Sequence, residues 1–191
     1  MTTPPVKIRI DIVSDVVCPW CVIGYKQLQE ALSRLEGEVK AEIHWHPFEL
    51  NPMIPPEGQE LREHMGQKYG TNRQQSDAAR ERIAKVGNAL GFSFNFYEGQ
   101  RIYNTFLAHQ LLKWAEQQGK QAELELALFE SYFSQQENVG EAKVLAEVAS
   151  RVGLDQVEAA AVIEDGRYAA EVREHQRFWL SKGIQAVPSF I

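Results

Sequence analysis

Two apolar segments on either side of one amphipathic stretch constrain the fold. Residues 6–13, VKIRIDIV, are rich in β-branched side chains and predict a buried strand. From Pro19 onward, apolar residues recur at three- and four-residue spacings as far as Gly37, which predicts a helix. Residues 39–45, VKAEIHW, predict a second strand. A strand, a helix and a strand in this order predict a parallel pair with a right-handed crossover.

The remainder of the chain is mostly helical. A proline-rich connection over residues 47–56 is the best candidate boundary. We therefore expect an α/β fold in which residues 1–57 and 166–191 form one domain and residues 58–165 form an all-helical insertion. Helical periodicity predicts helices over residues 58–68, 74–90, 102–118, 122–136, 142–152, 156–164 and 167–182.

Charge and hydropathy exclude several classes of function. The chain has 20 Lys and Arg against 26 Asp and Glu, a net charge of −6, and no basic stripe that would neutralise phosphates. No apolar run approaches the roughly 18 residues of a membrane span, and the N-terminus does not resemble a signal peptide. We expect a cytoplasmic protein with no nucleic-acid or membrane partner.

The motif CPWC carries both cysteines, Cys18 and Cys21, at the start of the predicted helix. A helix N-terminus stabilises a thiolate through its dipole and its free N–H groups. This position favours Cys18 as an exposed nucleophile and Cys21, one turn further along, as a resolving thiol. Pro19 is expected to limit fraying of the helix, and Trp20 to cover apolar surface beside the sulfur.

Two other interpretations of the cysteine pair stay open at this point. The cysteines could be inert buried residues, or they could be half of a zinc site. Structural zinc requires four ligands, and His44 and His46 are poorly spaced on a strand to complete such a site, so we expect no metal. A C-x-x-C motif directly after the first strand of a β-α-β pattern favours a redox couple.

Three further features carry competing interpretations. Asp15 could relay a proton to Cys18, but a loop aspartate more often bonds to neighbouring backbone. The aromatic residues of GFSFNFYEG, Phe92, Phe94, Phe96 and Tyr97, favour core packing over an apolar substrate groove. Pro188 opens a predicted strand, and by sequence alone its peptide bond is expected to be trans.

Several segments together resemble a known family. They are IDIVSDVVCPWCVIG, PFELNP, PPEG, NTFLAHQLLKWA and GIQAVPSF. The chain resembles the DsbA-like branch of the thioredoxin superfamily, and within it the FrnE-type oxidoreductases, relatives of 2-hydroxychromene-2-carboxylate isomerases and kappa-class glutathione transferases. The resemblance implies a thioredoxin-like fold with a large helical insertion. Such domains continue with a β-hairpin and a helix, which this chain is expected to lack.

The resemblance also implies a site and an activity. Pro188 would be cis and lie beside Cys18, and the backbone of Val187 would contact substrate. Phe48, Asn104 and His109 match family segments and are candidate substrate contacts. On the residues alone, Asn104 is more simply a first-turn residue of a helix, and His109 a polar residue near a helix face. The implied activity is thiol–disulfide exchange with protein or small-molecule thiols, in a direction that the sequence leaves unresolved.

Cofactors and the alternative activity follow from the same resemblance. No cofactor is required, whereas glutathione as a redox partner and a homodimer both stay open. The alternative is a glutathione-dependent isomerase or transferase of a small aromatic or polyketide-like molecule. Relatives of that kind typically carry serine in place of the first cysteine, which argues against this alternative here.

Overall fold

A three-stranded sheet forms the centre of the fold. The computed structural model describes residues 4–191. Strand β1 (Val6–Ser14) pairs in parallel with β2 (Val39–Pro47), and β5 (Ser189–Phe190) pairs antiparallel on the other side of β1. Helix α1 (Pro19–Arg34) connects β1 to β2. The predicted parallel pair is confirmed, and both strands run slightly further than predicted.

Within residues 4–191, seven further helices and a short ribbon complete the fold. The ribbon joins β3 (Gln59–Glu60) antiparallel to β4 (Arg101–Ile102). The helices are α2 (Leu61–Tyr69), α3 (Arg73–Ala89), α4 (Phe106–Gln117), α5 (Gln121–Phe129), α6 (Ala142–Arg151), α7 (Gln156–Asp165) and α8 (Ala169–Ser181). This mixed α/β architecture is the thioredoxin-like fold with a helical insertion that the resemblance implies.

Three predicted helix boundaries differ most from the structure. Helix α2 begins at Leu61, not at residue 58, because residues 59–60 pair with β4. The helix predicted from residue 102 begins at Phe106, because residues 101–102 pair with β3 and the Asn104 side chain accepts a hydrogen bond from the Phe106 N–H at 2.9 Å. The helix predicted over residues 122–136 is α5 followed by one wide π-helical turn, Glu130–Ser134. These differences depend on hydrogen bonds that hydrophobic periodicity does not report.

The helical insertion and the sheet share one core. Trp45 of β2 lies between Tyr25 of α1, at a ring-centroid distance of 4.8 Å, and Phe129 of α5, at 6.2 Å. All three side chains are buried. Helix α5 is therefore packed directly on β2, the neighbour of the strand that leads into the cysteine motif. Side chains from the insertion reach the back of that motif.

A second aromatic cluster lies inside the insertion. Phe92 and Phe94 are buried, and their rings contact each other and Phe133 at centroid distances of 4.8 to 6.5 Å. The expectation of core packing for these residues is confirmed. The Phe94 ring also lies against Gly87 of α3, where a Cβ atom would be 2.4 Å from two ring carbons.

We expect Gly87→Ala to lower the free energy of unfolding by about 1–3 kcal/mol, because the added methyl overpacks a buried ring. The control is Gly66→Ala in α2, where a Cβ meets nothing closer than 3.4 Å and alanine favours the helix. Urea titration of both variants measures the change. Equal stability of the two variants would contradict the packing argument.

Candidate active site

Cys18 occupies the N-cap position of α1. Its backbone is extended, with φ −95° and ψ 111°, and Pro19 takes the first helical turn as predicted. The Cys18 N–H donates to the Asp15 carbonyl at 2.9 Å, and the Cys21 N–H donates to the Cys18 carbonyl at 3.1 Å. Within residues 4–191 no side chain caps this end of the helix. The Cys18 sulfur therefore belongs to the residue that begins the helix, the end at which the partial charge of a helix is positive.

Both cysteines are free thiols inside the protein. Cys18 is 3% exposed and Cys21 is 1% exposed. The expectation that Cys18 is an exposed nucleophile is wrong in this respect, because it belongs to the same buried cluster as Ile12 and Val22. A reaction partner can reach its sulfur only over a small area.

Burial sets the protonation of the second cysteine. Loss of hydration raises the pKa of the Cys21 thiol well above its ordinary value, and the neighbouring Cys18 sulfur raises it further. Hydrogen bonding from the Asp15 backbone and from the Ser14 side chain acts in the opposite direction. Cys21 is consequently a protonated thiol at neutral pH, and it must lose its proton before it can attack a disulfide.

The C-terminal segment lies against the cysteine helix. The Val187–Pro188 bond is cis, as the resemblance implies, and the Val187 carbonyl oxygen is 3.8 Å from the Cys18 sulfur. Close approach depends on Gly24 of α1, where a Cβ would be 3.3 Å from Pro188 and 3.1 Å from the Phe190 ring. Cys18, Val187 and Pro188 are thus brought together from positions 169 residues apart.

Trp20 lies at the surface beside the cysteines. Its side chain is 41% exposed, and the Arg82 guanidinium of α3 lies 5.7 Å from its ring centroid. A cation over an aromatic face is a favourable contact. The insertion therefore reaches the rim of the site as well as its interior.

Four buried polar side chains lie behind the cysteine pair. They are Ser14, Asp15, His109 and Glu125, and each is at most 3% exposed. The Ser14 hydroxyl donates to Glu125 Oε1 at 2.8 Å. His109 Nε2 donates to the Phe48 carbonyl at 3.0 Å and lies 3.6 Å from Asp15 Oδ1. We call these four side chains the buried polar network.

The network changes the protonation of its members. Burial raises the pKa of Glu125 to about 7, although the positive charge of His109 and the Ser14 hydrogen bond oppose the shift. For His109, burial alone would lower the pKa, but the nearby carboxylate of Asp15, with the charges of Glu125 and Glu49, raises the pKa overall. The pKa values of Glu125 and His109 are therefore both raised inside the network.

The PFEL segment holds the network in place. The Phe48 N–H donates to the Ser14 carbonyl at 3.0 Å, and the Leu50 N–H donates to Asp15 Oδ2 at 2.7 Å. Glu49 pairs with Arg173 of α8. The expectation that Asp15 bonds to neighbouring backbone is wrong, because its partner lies 35 residues away.

Three residues expected to face substrate have internal partners. His109 is 3% exposed and buried against Phe48, so the structure places it inside the protein and not on a binding surface. Asn104 donates to the Pro52 carbonyl at 3.1 Å and also caps α4. The Phe48 N–H and carbonyl bond to Ser14 and His109 respectively. His109 and the Phe48 backbone therefore support the site from inside, whereas Asn104 holds the start of α4.

The histidines of β2 form ordinary polar contacts. His46 bonds to Asp11 at 2.6 Å, and His44 bonds to Glu42 at 3.0 Å. Across residues 4–191, no three His, Cys, Asp or Glu side chains are grouped so that they could hold a metal ion. The same residues include no helix that is long and apolar enough to cross a bilayer.

Sequence reasoning missed Ser14, Gly24 and Glu125. Two features of the sequence indicate Gly24 and Glu125. Gly24 is an isolated glycine inside a helical pattern, which often marks a close approach of backbone or ring atoms. Glu125 is an acid among the apolar residues of QAELELALF, where Leu124 and Leu128 are fully buried. Ser14 carried no distinctive signal.

Comparison with known proteins identifies relatives over nearly the whole chain. The model of the DSBA-like thioredoxin domain matches residues 9–191. The uncharacterized protein YwbO of Bacillus subtilis is 27% identical in an alignment of 189 residues that covers 96% of this chain and 86% of YwbO. The structure of the probable DsbA oxidoreductase SCO1869 from Streptomyces coelicolor superposes with a TM-score of 0.88 at 30% identity, over 96% of this chain and 79% of that one.

A more distant structure shares the fold. The cytosolic disulfide reductase DsbM from Pseudomonas aeruginosa, solved with GSH, has a TM-score of 0.66 at 20% identity. The match covers 96% of this chain and 85% of DsbM. It shows that the two chains share a fold.

The raised pKa of Glu125 predicts a pH-dependent difference in stability. Between about pH 4.5 and about pH 7 the folded state binds a proton that the unfolded state releases. The free energy of unfolding therefore falls across this window as pH rises, by about 3 kcal/mol for a shift of this size. Glu125→Gln should remove this fall, as measured by urea titration at several pH values.

The sign of the effect allows a clear contradiction. The raised pKa of His109 also lowers the free energy of unfolding as pH rises, at higher pH than Glu125 does. This second loss should shrink in Glu125→Gln, because the charge of Glu125 then no longer raises the pKa of His109. Gln110→Ala, a buried polar change outside the network, is the control and should shift stability equally at all pH values. Parallel pH curves for Glu125→Gln and wild type would contradict the assignment.

Proposed function

Because the chain belongs to the family of DSBA-like thioredoxin domains, we propose that it exchanges disulfides through Cys18 and Cys21. The observation that carries the proposal is the placement of two free thiols on the first turn of α1, with the Cys18 sulfur 3.8 Å from the Val187 carbonyl. One thiol lies at the helix start, where thiolate is stabilised, and the other is buried and protonated. Two thiols with different properties suit two different steps.

The proposed reaction has two steps. The Cys18 thiolate attacks one sulfur of a substrate disulfide, the S–S bond breaks, and one substrate thiolate leaves. Cys21 then attacks the Cys18 sulfur, which releases the second substrate thiolate and leaves a Cys18–Cys21 disulfide. The substrate gains two electrons and the protein loses two. The reverse sequence oxidises a dithiol, and the direction depends on the potential of the partner.

The backbone at Val187 and Pro188 is the proposed contact surface for substrate. Its carbonyl already lies beside the Cys18 sulfur, so a chain attached to that sulfur must pass this segment. Trp20, partly exposed next to Cys18, borders the same approach. Protein and small-molecule disulfides both fit this scheme.

The chemistry requires no bound cofactor, since the two thiols supply both electrons. We propose that glutathione is the partner that restores the dithiol. We also propose a cytoplasmic setting, where structural thiols are kept reduced. The solved complex of DsbM with GSH supports glutathione by analogy of fold. A glutathione-dependent isomerase would use one activated thiol and would leave the buried Cys21 without a role.

We expect Cys18→Ser to abolish the reduction of insulin disulfides and of glutathione disulfide, because serine cannot form the mixed disulfide. Cys21→Ala should retain the first step and accumulate mixed disulfides on Cys18. Insulin reduction is followed by turbidity with dithiothreitol as the electron donor. Reduction of glutathione disulfide is followed by the loss of protein thiols when pre-reduced protein is mixed with it, and adducts are followed by mass spectrometry.

The control is wild-type protein alkylated at its cysteines, which should be as inactive as Cys18→Ser. Full activity in Cys18→Ser would eliminate the proposed function. Absence of adducts in Cys21→Ala would remove its role as the resolving thiol.

A further inference from the structure

We propose that Arg82, on helix α3 of the insertion, binds the carboxylate of a small disulfide substrate while Cys18 attacks its sulfur. The inference rests on the proposed function and assigns a class of substrate to the same site. Arg82 is exposed, and its guanidinium lies over the ring of Trp20, 5.7 Å from the ring centroid. Trp20 is the second residue after Cys18, so this cation lies at the rim of the approach to the sulfur.

The positive charge of Arg82 is not neutralised by another part of the described chain. Among residues 4–191, no side chain or backbone group forms a hydrogen bond or an ion pair with its guanidinium, and its one close contact is the ring. The neighbouring arginines differ in this respect, because Arg62 pairs with Asp77 at 2.6 Å and Arg73 pairs with Glu98 at 3.3 Å. The cation nearest to the cysteine motif is therefore the one left open to a ligand.

The sequence of α3 explains why this charge stays unpaired. Side chains three and four positions apart on a helix are neighbours. For Arg82 these neighbours are Ala78, Ala79, Lys85 and Val86, and none of them is acidic. A negative partner must therefore come from outside the helix. The side of Arg82 that faces solvent beside Trp20 is the side on which a substrate of Cys18 arrives.

A guanidinium held over an aromatic ring suits a carboxylate ligand. Contact with the ring steadies the guanidinium, while the N–H groups at its edge stay free to donate in the fork that matches a carboxylate. The chain as a whole has a net charge of −6, which repels anions, so a local cation decides whether an anionic substrate approaches. The Cys18 sulfur is only 3% exposed, which favours a small disulfide over a folded protein.

The test compares three small disulfides that differ mainly in charge. 3,3′-Dithiodipropionate carries two carboxylates, bis(2-hydroxyethyl) disulfide is neutral, and cystamine carries two amines. At about pH 7 the carboxylates are ionised and the amines are protonated. Reduced protein is mixed with an excess of each disulfide, quenched with acid at timed intervals and alkylated. Mass spectrometry then gives the second-order rate constant for the loss of protein thiols.

Three variants define the expected result. Arg82→Gln should lower the rate constant for 3,3′-dithiodipropionate about 3- to 10-fold, leave that for the neutral disulfide within about twofold of wild type, and raise that for cystamine. Arg82→Lys keeps the charge and should keep most of the preference for the dianion. Salt at about 0.5 M should reduce this preference in wild type and change Arg82→Gln little. Arg177→Gln removes an equal charge from an exposed arginine of α8 and should change none of the three rate constants.

Each outcome decides a separate point. If wild type reacts with none of the three disulfides, the proposed function itself fails. If wild type reacts but Arg82→Gln keeps the same ratio of dianion to neutral rate constants, carboxylate binding by Arg82 is overturned. An equal fall for all three disulfides also overturns it, because Arg82 would then act on Cys18 or on the fold. An equal loss of preference in Arg177→Gln would assign the effect to net charge and overturn it as well.

Discussion

The buried grouping of Asp15, His109 and Glu125 is the constraint on which the rest of the structure depends. Ionisable groups away from water cost several kcal/mol each unless they are paired and hydrogen-bonded. Asp15 follows β1, whereas His109 and Glu125 come from α4 and α5. Their mutual contacts are satisfied only when the insertion is seated on the sheet. The polar interactions therefore fix one position of α4 and α5 on the sheet. Apolar packing alone would specify this position less strictly.

This arrangement makes the helical insertion part of the candidate site. Phe129 of α5 packs on Trp45 of β2, and Glu125, one turn earlier on the same helix, bonds to Ser14 at the end of β1. At the surface, Arg82 of α3 lies over Trp20. The insertion thus supplies both the packing that positions the cysteine helix and the polar groups behind it, which an insertion serving only as a binding groove would not do.

The sequence predicted those features that depend on local patterns. The strand and helix around CPWC, the parallel pairing and the position of Pro19 follow from periodicity and from spacing over a few residues. The prediction that Cys18 is exposed was wrong, because Val187, which lies against it, is 169 residues away in the sequence. Ser14 and Glu125 were missed for the same reason, since 111 residues separate them. Asp15 was a candidate residue, but its partner Leu50 lies 35 residues away, and the residues next to Asp15 in the sequence do not indicate it.

Burial of both sulfurs has a consequence for selectivity. Cys21 is enclosed and protonated, so an outside disulfide can react first only with Cys18. In the proposed reaction, the sulfur of Cys18 that carries the substrate is then the electrophile that Cys21 attacks. The order of the two proposed steps would therefore follow from the positions of the two thiols.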